Sequence, residues 1–585
     1  MAYEGKSERT RLVKKDPDDP GLQAVFQTAP QTQQNTDRTG KFSSTFGLII
    51  SSLGTAVGTG NLWRFPRILA NNSGDQGCLH FLLVWLMFLF LWSIQIIIME
   101  YAIGRFTKRA PPMAFHDLLG VKSTWLGGWI SIVVFFTNCY YGVIVGWAVY
   151  YMYYCIFHPL PTTFDESSEI WKAFSEESSW PVLLHFIVTV GCVIVMWKGV
   201  DTIEPAMKIL MPGLFILVIT AFIWALTQHN AGSALAYIFT PDWKLLGTPR
   251  VWIDALSQNA WDTSAASGVF LVYGASMTKS MGPVKTGILI PTLNNIVSLM
   301  AGMMIFSTVF STWTKVSPGG DKDDLMKLLK TNGPANTGLT FIWMPILFST
   351  MTGGRVMASL FFLMVVVAGF SSYVTVMNST AQVLVDWGVR RDVSSVVIGL
   401  MTFLLGVPSA LYIHFLANQD FIWGSALILS GLAFTYLFWK YGSLSFRLNL
   451  LNESGDGSDW KLPKIWEWLV KYVLPVEGLA LLVWWIVSTV QNEKTPWYEL
   501  GVHSLMTAIL GWSVAALFLV GLNVLFVRCR GRMSRCWSSL IDKQDDIPVC
   551  CCCHKEDKEY RDNFIVMTDR AGVGPVQDYT YSTVN

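Results

Sequence analysis

Charge is what this chain has least of. Of its 585 residues only 14% are Asp, Glu, Lys or Arg, against about 25% in soluble domains. The formal net charge is +1, so no bulk electrostatic partner is implied and no nucleic-acid surface is expected. The apolar segments carry no activated nucleophile and no metal-ligand cluster, which leaves an enzyme reading without support. No cysteine pair is placed for an extracellular disulfide. Cys78, Cys139, Cys155 and Cys192 fall in or beside apolar segments, and the others sit in the last tail. Roughly the first 40 residues are polar and charged, so no secretory signal peptide is expected there.

Apolar length is what the chain has in excess. Hydrophobic residues make up 52% and aromatic residues 14%, as a protein of the bilayer and its interfaces requires. A spanning helix needs about 20 apolar residues, and by that measure about twelve spans are expected. They lie near 44–70, 78–106, 124–157, 181–197, 204–227, 252–278, 284–314, 354–386, 393–413, 418–440, 464–490 and 500–527. The fold class is therefore all-α and polytopic. Arg105, Lys108, Arg109, Lys198, Lys279, Lys285, Arg390, Arg391, Lys440, Arg447 and Arg528 all fall on the side of the N-terminal tail. The positive-inside rule then makes both termini cytoplasmic. This gives a cytoplasmic tail over 1–43, a membrane core over 44–527 and a second cytoplasmic tail over 528–585. Loops near 158–180 and 315–350 face outside.

Two of these spans are broken. The first reads Gly47-Leu-Ile-Ile-Ser-Ser-Leu-Gly-Thr-Ala-Val-Gly-Thr-Gly-Asn-Leu-Trp-Arg-Phe-Pro66, and the second reads Gln258-Asn-Ala-Trp-Asp-Thr-Ser-Ala-Ala-Ser-Gly-Val-Phe-Leu-Val-Tyr273. Freed backbone groups have no partner in hydrocarbon, so an unwound segment must line a cavity. Interrupted segments at matching places in the two halves of a chain point to a transporter's binding site. Gly54 and Gly58 taken alone also suit close helix packing. Asp262 is more telling, because a carboxylate inside an apolar span is a functional-site hypothesis by default. A structural pairing with a buried Lys or Arg is the alternative, and its own span offers none before Lys279. Farther on, Ala368-Gly-Phe-Ser-Ser372 offers hydroxyl and carbonyl oxygens suited to a small hard cation, although such serines also cap their own helix.

The string Gly58-Thr-Gly-Asn-Leu-Trp-Arg-Phe-Pro66 resembles the signature of the neurotransmitter:sodium symporter family, and the resemblance runs from about residue 38 to 527. It implies two inverted five-helix repeats, about 44–227 and 252–440, with discontinuous helices 1 and 6, followed by two extra helices at about 464–527. It also implies one sodium site built from Gly54, Val57, Ala368, Ser371 and Ser372. A second would draw on Ala56, Asn61, Asn294 and the substrate carboxylate, with Asp262 standing where the family usually has Ser or Thr. Chloride-dependent members hold the anion with a Tyr, a Gln and small polar residues. Gln258, Asn294 and Ser298 match, but no Tyr occurs between Phe65 and Tyr101. Asp262 would place a fixed negative charge beside that position and repel a second anion, so chloride independence is expected.

The resemblance also assigns the substrate. Monoamine carriers of the family have Asp where this chain has Gly58, so the negative charge is expected on the substrate itself. Its carboxylate would meet the N–H groups of Thr59 and Gly60 and the hydroxyl of Tyr141, unless Tyr141 is only a packed aromatic. Its ammonium would meet carbonyls of Ala56, Trp261 and Ser264. Selectivity would come from Thr137, Ser267, Ser372 and Val376. Arg64 and Asp420 match the outer gate, Trp261 the occluding ring and Asp386 the inner gate's acid, with Arg38 or Lys41 as its partner. The run Cys550-Cys-Cys-Cys-His554 is spaced poorly for a metal cage. Palmitoylation of Cys550, Cys551, Cys552 and Cys553, or plain reduced thiols, is expected instead.

The implied function is sodium-coupled symport of a neutral or zwitterionic amino acid by alternating access, in the plasma membrane. Transport of another carboxylated osmolyte or amino-acid derivative is the alternative within this class. A non-transporting receptor or scaffold on the same fold is the rival from outside it, and it predicts decayed ion sites.

Overall fold

The computed structural model describes residues 40–316, 338–492 and 496–529. Arg38, most of the outer loop near 315–350 and the tail cysteines Cys550 to Cys553 lie outside them.

The described chain is helical throughout. Helix α1 (Thr45–Ala56) and helix α2 (Phe65–Asn71) are the two halves of the first broken span. Ser44 starts α1 by accepting the N–H of Gly47 at 3.0 Å, which satisfies one of the donors a helix start leaves open. Next come α3 (Leu79–Thr107), α4 (Thr124–Phe157), α5 (Trp180–Val195) and α6 (Val200–Leu226). The second broken span gives α7 (Pro249–Asp262) and α8 (Val269–Ala275). The remainder is α9 (Pro283–Val316), α10 (Gly354–Asp386), α11 (Arg391–Leu411), α12 (Ile413–Tyr441), α13 (Lys464–Gln491) and α14 (Leu505–Cys529).

Nine helices among the described residues are long and apolar enough to cross a bilayer. The number is ten if Phe164–Ser175 and α5, bent by 65° at their junction, form one span. The expected total of about twelve counts each broken span, 44–70 and 252–278, once. The fold divides both into pieces too short to cross alone. The segment read as a loop near 158–180 also carries helix Phe164–Ser175. Its start is a reciprocal cap, in which Thr163 accepts the N–H of Glu166 at 3.3 Å and the Glu166 carboxylate accepts the N–H of Thr162 at 2.8 Å.

Helix α10 runs through the interior, with Phe361, Phe362, Ala368, Tyr373 and Met377 at most 1% exposed. Helix α14 is its opposite: Leu510, Val514, Leu517 and Phe518 are exposed, the surface that lipid covers. Small residues let buried helices touch backbone to backbone. A Cβ at Gly104 of α3 would lie 1.8 Å from the Leu271 carbonyl oxygen of α8. At the start of α1, Glu204 of α6 accepts the Ser43 N–H at 2.8 Å and also its hydroxyl, and Lys208 pairs with the same carboxylate at 2.8 Å. Gly47 makes room for it, since a Cβ there would lie 1.9 Å from Glu204 Oε1.

The α3–α8 contact sets a test. Gly104→Ala puts a methyl group against backbone that cannot swing aside, an overpacking cost of about 1–3 kcal/mol. The thermal midpoint of the detergent-solubilised protein should fall by several degrees. An unchanged midpoint would show that these backbones are not in contact.

Candidate functional site

Both interruptions are true breaks in the backbone. After Ala56, Val57 leaves the helix with φ −81° and ψ 91°. In the second, Ser264, Ala266 and Gly268 all take left-handed angles, with φ 57°, 70° and 74°. The two non-glycine residues there each cost about 1–2 kcal/mol relative to a helical conformation. Such strain persists only where surrounding contacts hold it. Glu100 of α3, the helix packed against α8, is fully buried beside this stretch.

The residues expected at the first sodium site converge. Ser372 donates its hydroxyl to the carbonyls of Gly54 and Thr55 at 3.0 and 3.1 Å. Ser371 donates to the Ala368 carbonyl at 3.0 Å. A Cβ at Gly54 would stand 3.5 Å from that of Ser371. Val57, Ala368 and Ser371 are each 0% exposed. This is an oxygen-rich, water-excluded junction between α1 and α10, and its hydroxyls can turn to present lone pairs to a hard cation.

The second group is knitted around Asn61. Its carboxamide donates to Asn294 Oδ1 at 2.7 Å and to Ser298 Oγ at 2.8 Å, and accepts the freed N–H of Gly58 at 2.8 Å. Ser298 in turn donates to Asp262 Oδ2. Asp262 is 3% exposed and Gln258, one turn earlier on α7, is 1% exposed. The charge of Arg64, carried by the other broken span, also acts on Asp262. A cation near Asp262 does exist, but two hundred residues away in sequence, where reading its own span could not find it.

Between the breaks lies a cavity of about 210 Å³. Ala56, Thr59, Gly60, Thr137, Tyr141, Trp261, Ser264, Ser267, Ser372 and Val376 all line it. The N–H and hydroxyl of Thr59 both donate to the Tyr141 hydroxyl, at 3.3 and 3.0 Å. A Cβ at Gly58 would sit 2.6 Å from Ser372 Oγ and 3.0 Å from the Tyr141 hydroxyl, so the backbone there has no room for a side chain.

The gates differ from expectation. A second cavity of about 190 Å³ adjoins the first, and both are lined by Arg64, Trp261, Asp420 and Leu427. Arg64 lies over the Trp261 ring at 4.9 Å, while Asp420 accepts a hydrogen bond from Tyr140 at 3.1 Å. Among the described residues no ion pair within 4.0 Å joins Arg64 to Asp420. Each charge has found an aromatic partner instead. Asp386 accepts the Ala110 N–H at 2.5 Å and the Gln382 carboxamide at 3.0 Å. Among the described residues it forms no pair with Lys41, and Arg38 lies outside them. The loop after α3 supplies a backbone donor, and Gln382 in turn accepts from Arg391 at 3.1 Å.

Glu100 and Asn138 are site residues that sequence reading passed over. Glu100 ends the run Ile96-Ile-Ile-Met-Glu100, so the rule that singled out Asp262 also applies to it. Asn138 lines the larger cavity and stands one helical turn from Tyr141, in the string Asn138-Cys-Tyr-Tyr141 of which the resemblance assigns a role only to Tyr141.

Comparison with known proteins agrees with this architecture. A family model described as the Sodium:neurotransmitter symporter family matches residues 39–177 and 172–530. An uncharacterized sodium-dependent transporter of Methanocaldococcus jannaschii is 28% identical over 358 residues, 59% of this chain and 69% of that one. The creatine transporter of Torpedo marmorata is 25% identical over 552 residues, 84% of this chain and 86% of that one. The crystal structure of MhsT in complex with L-phenylalanine matches with a TM-score of 0.64 and 26% identity, covering 76% of this chain and 99% of that one. With the family match running across the whole helical core, and two broken spans meeting around one cavity, the chain belongs to the sodium:neurotransmitter symporter family and is a multi-pass, sodium-coupled membrane transporter.

Proposed function

We propose that this transporter carries a neutral or zwitterionic amino acid together with sodium and without chloride. One observation carries the substrate class. The Tyr141 hydroxyl and the Thr59 N–H meet at the first break, and Gly58 leaves no space for an acidic side chain beside them. The negative charge therefore arrives on the substrate, as an α-carboxylate that takes up the donors now paired with each other. MhsT holding L-phenylalanine supports an amino acid over an amine. The creatine transporter among the relatives keeps a carboxylated amino-acid derivative as the second reading, since such a molecule would use the same anchor.

The cation sites follow the two clusters. One sodium ion would sit among Gly54, Val57, Ala368, Ser371 and Ser372. The other would take Ala56, Asn61, Asn294 and Asp262, with the substrate carboxylate beside it. Positive charge in a low-dielectric site needs an offset, and Asp262, held by Ser298, supplies it permanently. Placement in the plasma membrane, with both tails in the cytoplasm, completes the proposal, as does palmitoylation of the tail cysteines.

Three measurements test this. Replacing both Ser371 and Ser372 by Ala removes two hydroxyl ligands and should weaken apparent sodium affinity about tenfold or more. Uptake into proteoliposomes that persists when choline replaces sodium would sink the cation assignment. Tyr141→Phe removes a charge-assisted hydrogen bond of roughly 1.5–3 kcal/mol, so substrate binding should weaken about ten- to a hundredfold. If decarboxylated amines compete better than the parent amino acids, the substrate class is wrong. Gluconate in place of chloride should leave uptake unchanged, while Asp262→Ser should abolish transport or make it require chloride. A strong chloride requirement in the unmodified protein would return Asp262 to the role of an ordinary polar ligand.

A further inference from the structure

Several polar side chains around the substrate cavity are committed to other partners. Thr137 donates to the Val133 carbonyl at 2.9 Å, and Ser267 donates to the Ser264 carbonyl at 2.7 Å while accepting the Val269 N–H at 3.3 Å. Ser372 is bound to the carbonyls of α1 and Tyr140 to Asp420. Asn138 is 1% exposed and lines the same cavity, yet both its Nδ2 and its Oδ1 lack a hydrogen-bond partner among the described residues. A buried carboxamide left unpaired is costly, and native structures rarely keep one without a use.

We propose that Asn138 is the residue that selects the substrate's side chain, and that the preferred side chain ends in a carboxamide. The inference rests on the amino-acid reading above and refines it. Asn138 offers one donor edge and one acceptor edge together. Another carboxamide answers both at once, with two antiparallel hydrogen bonds. A hydroxyl answers one at a time. An acidic side chain leaves Oδ1 without a donor, and a basic one leaves Nδ2 without an acceptor. An aliphatic side chain leaves both unpaired, and a site with buried polar groups discriminates strongly against an analogue that cannot meet them. Position sets the reach. Asn138 precedes Tyr141 by three residues on α4, so the two side chains share a face with their Cβ atoms about 5–6 Å apart. A substrate anchored by its carboxylate at Tyr141 therefore meets Asn138 after two or three side-chain carbons, the lengths of asparagine and glutamine.

The test is uptake of labelled glutamine, asparagine, methionine and leucine by the full chain in proteoliposomes under a sodium gradient. Glutamine and asparagine should be taken up about ten- to a hundredfold more efficiently than their apolar counterparts methionine and leucine. Asn138→Leu, close in size but unable to hydrogen-bond, should reverse that order. If it does not fold, as judged by its thermal midpoint, Asn138→Ala should still erase the preference. Methionine and leucine carried as well as the amides, or a ranking unchanged by either substitution, would overturn the role of Asn138 and leave amino-acid symport intact. No sodium-driven uptake of any amino acid would instead overturn the proposed function and this inference with it.

Discussion

A peptide group released from a helix at membrane depth must find another partner, because hydrocarbon offers none. The centre of this protein is organised by that requirement. The first break is met by side chains: Ser372 serves the carbonyls of Gly54 and Thr55, Asn61 takes the N–H of Gly58, and Tyr141 takes that of Thr59. The second break is flanked by Glu100, a carboxylate fully buried on the neighbouring helix α3. Ser372 and Tyr141 come from α10 and α4, so the first break fixes how those two helices stand beside it. The polar constellation that reads as a transport site is, in physical terms, the set of substitutes for lost helical hydrogen bonds.

Electrostatics divides along the same lines. Asp262 reaches Asn61 through Ser298, so a change of charge at one break is felt at the backbone of the other. Arg64 adds to this coupling from above, stacked on Trp261 rather than locked to Asp420. The boundary between the two cavities is therefore made by a cation, a ring and an acid that are near one another without being tied. Side chains held this way can rearrange without first breaking a desolvated ion pair.

Much of the fold was legible because bilayer thickness and backbone satisfaction act on local sequence. Apolar lengths gave the spans, and small or polar interruptions gave the breaks. Hydropathy could not set the angles at which those spans break, with Ser264 and Ala266 both left-handed. Nor could it show a capped helix within 158–180. The candidate residues that gather at the breaks were legible where residue type carries the chemistry, as with Asp262, Ser371 and Ser372. It was not legible where a contact depends on chain distant in sequence. Asp386 finds the Ala110 N–H, Asp420 finds Tyr140, and Asp262 feels Arg64. Ala266 is a sharper case, an ordinary helix former held in a left-handed conformation that nothing in its own side chain requests.

The clasp at the start of α1 has a bearing on how this molecule moves. Glu204 grips Ser43 through both N–H and hydroxyl, with Lys208 one turn along α6 on the same carboxylate. If the first half-helix swings away, Ser43 leaves but Lys208 does not. At this contact the parting surfaces then expose a closed ion pair on one side and the hydroxyl and N–H of Ser43 on the other. Neither needs a counter-ion from solution, so separation at this contact is a wetting event rather than a charging one. Its rate should accordingly respond little to ionic strength, unlike a gate closed by opposite charges on facing elements.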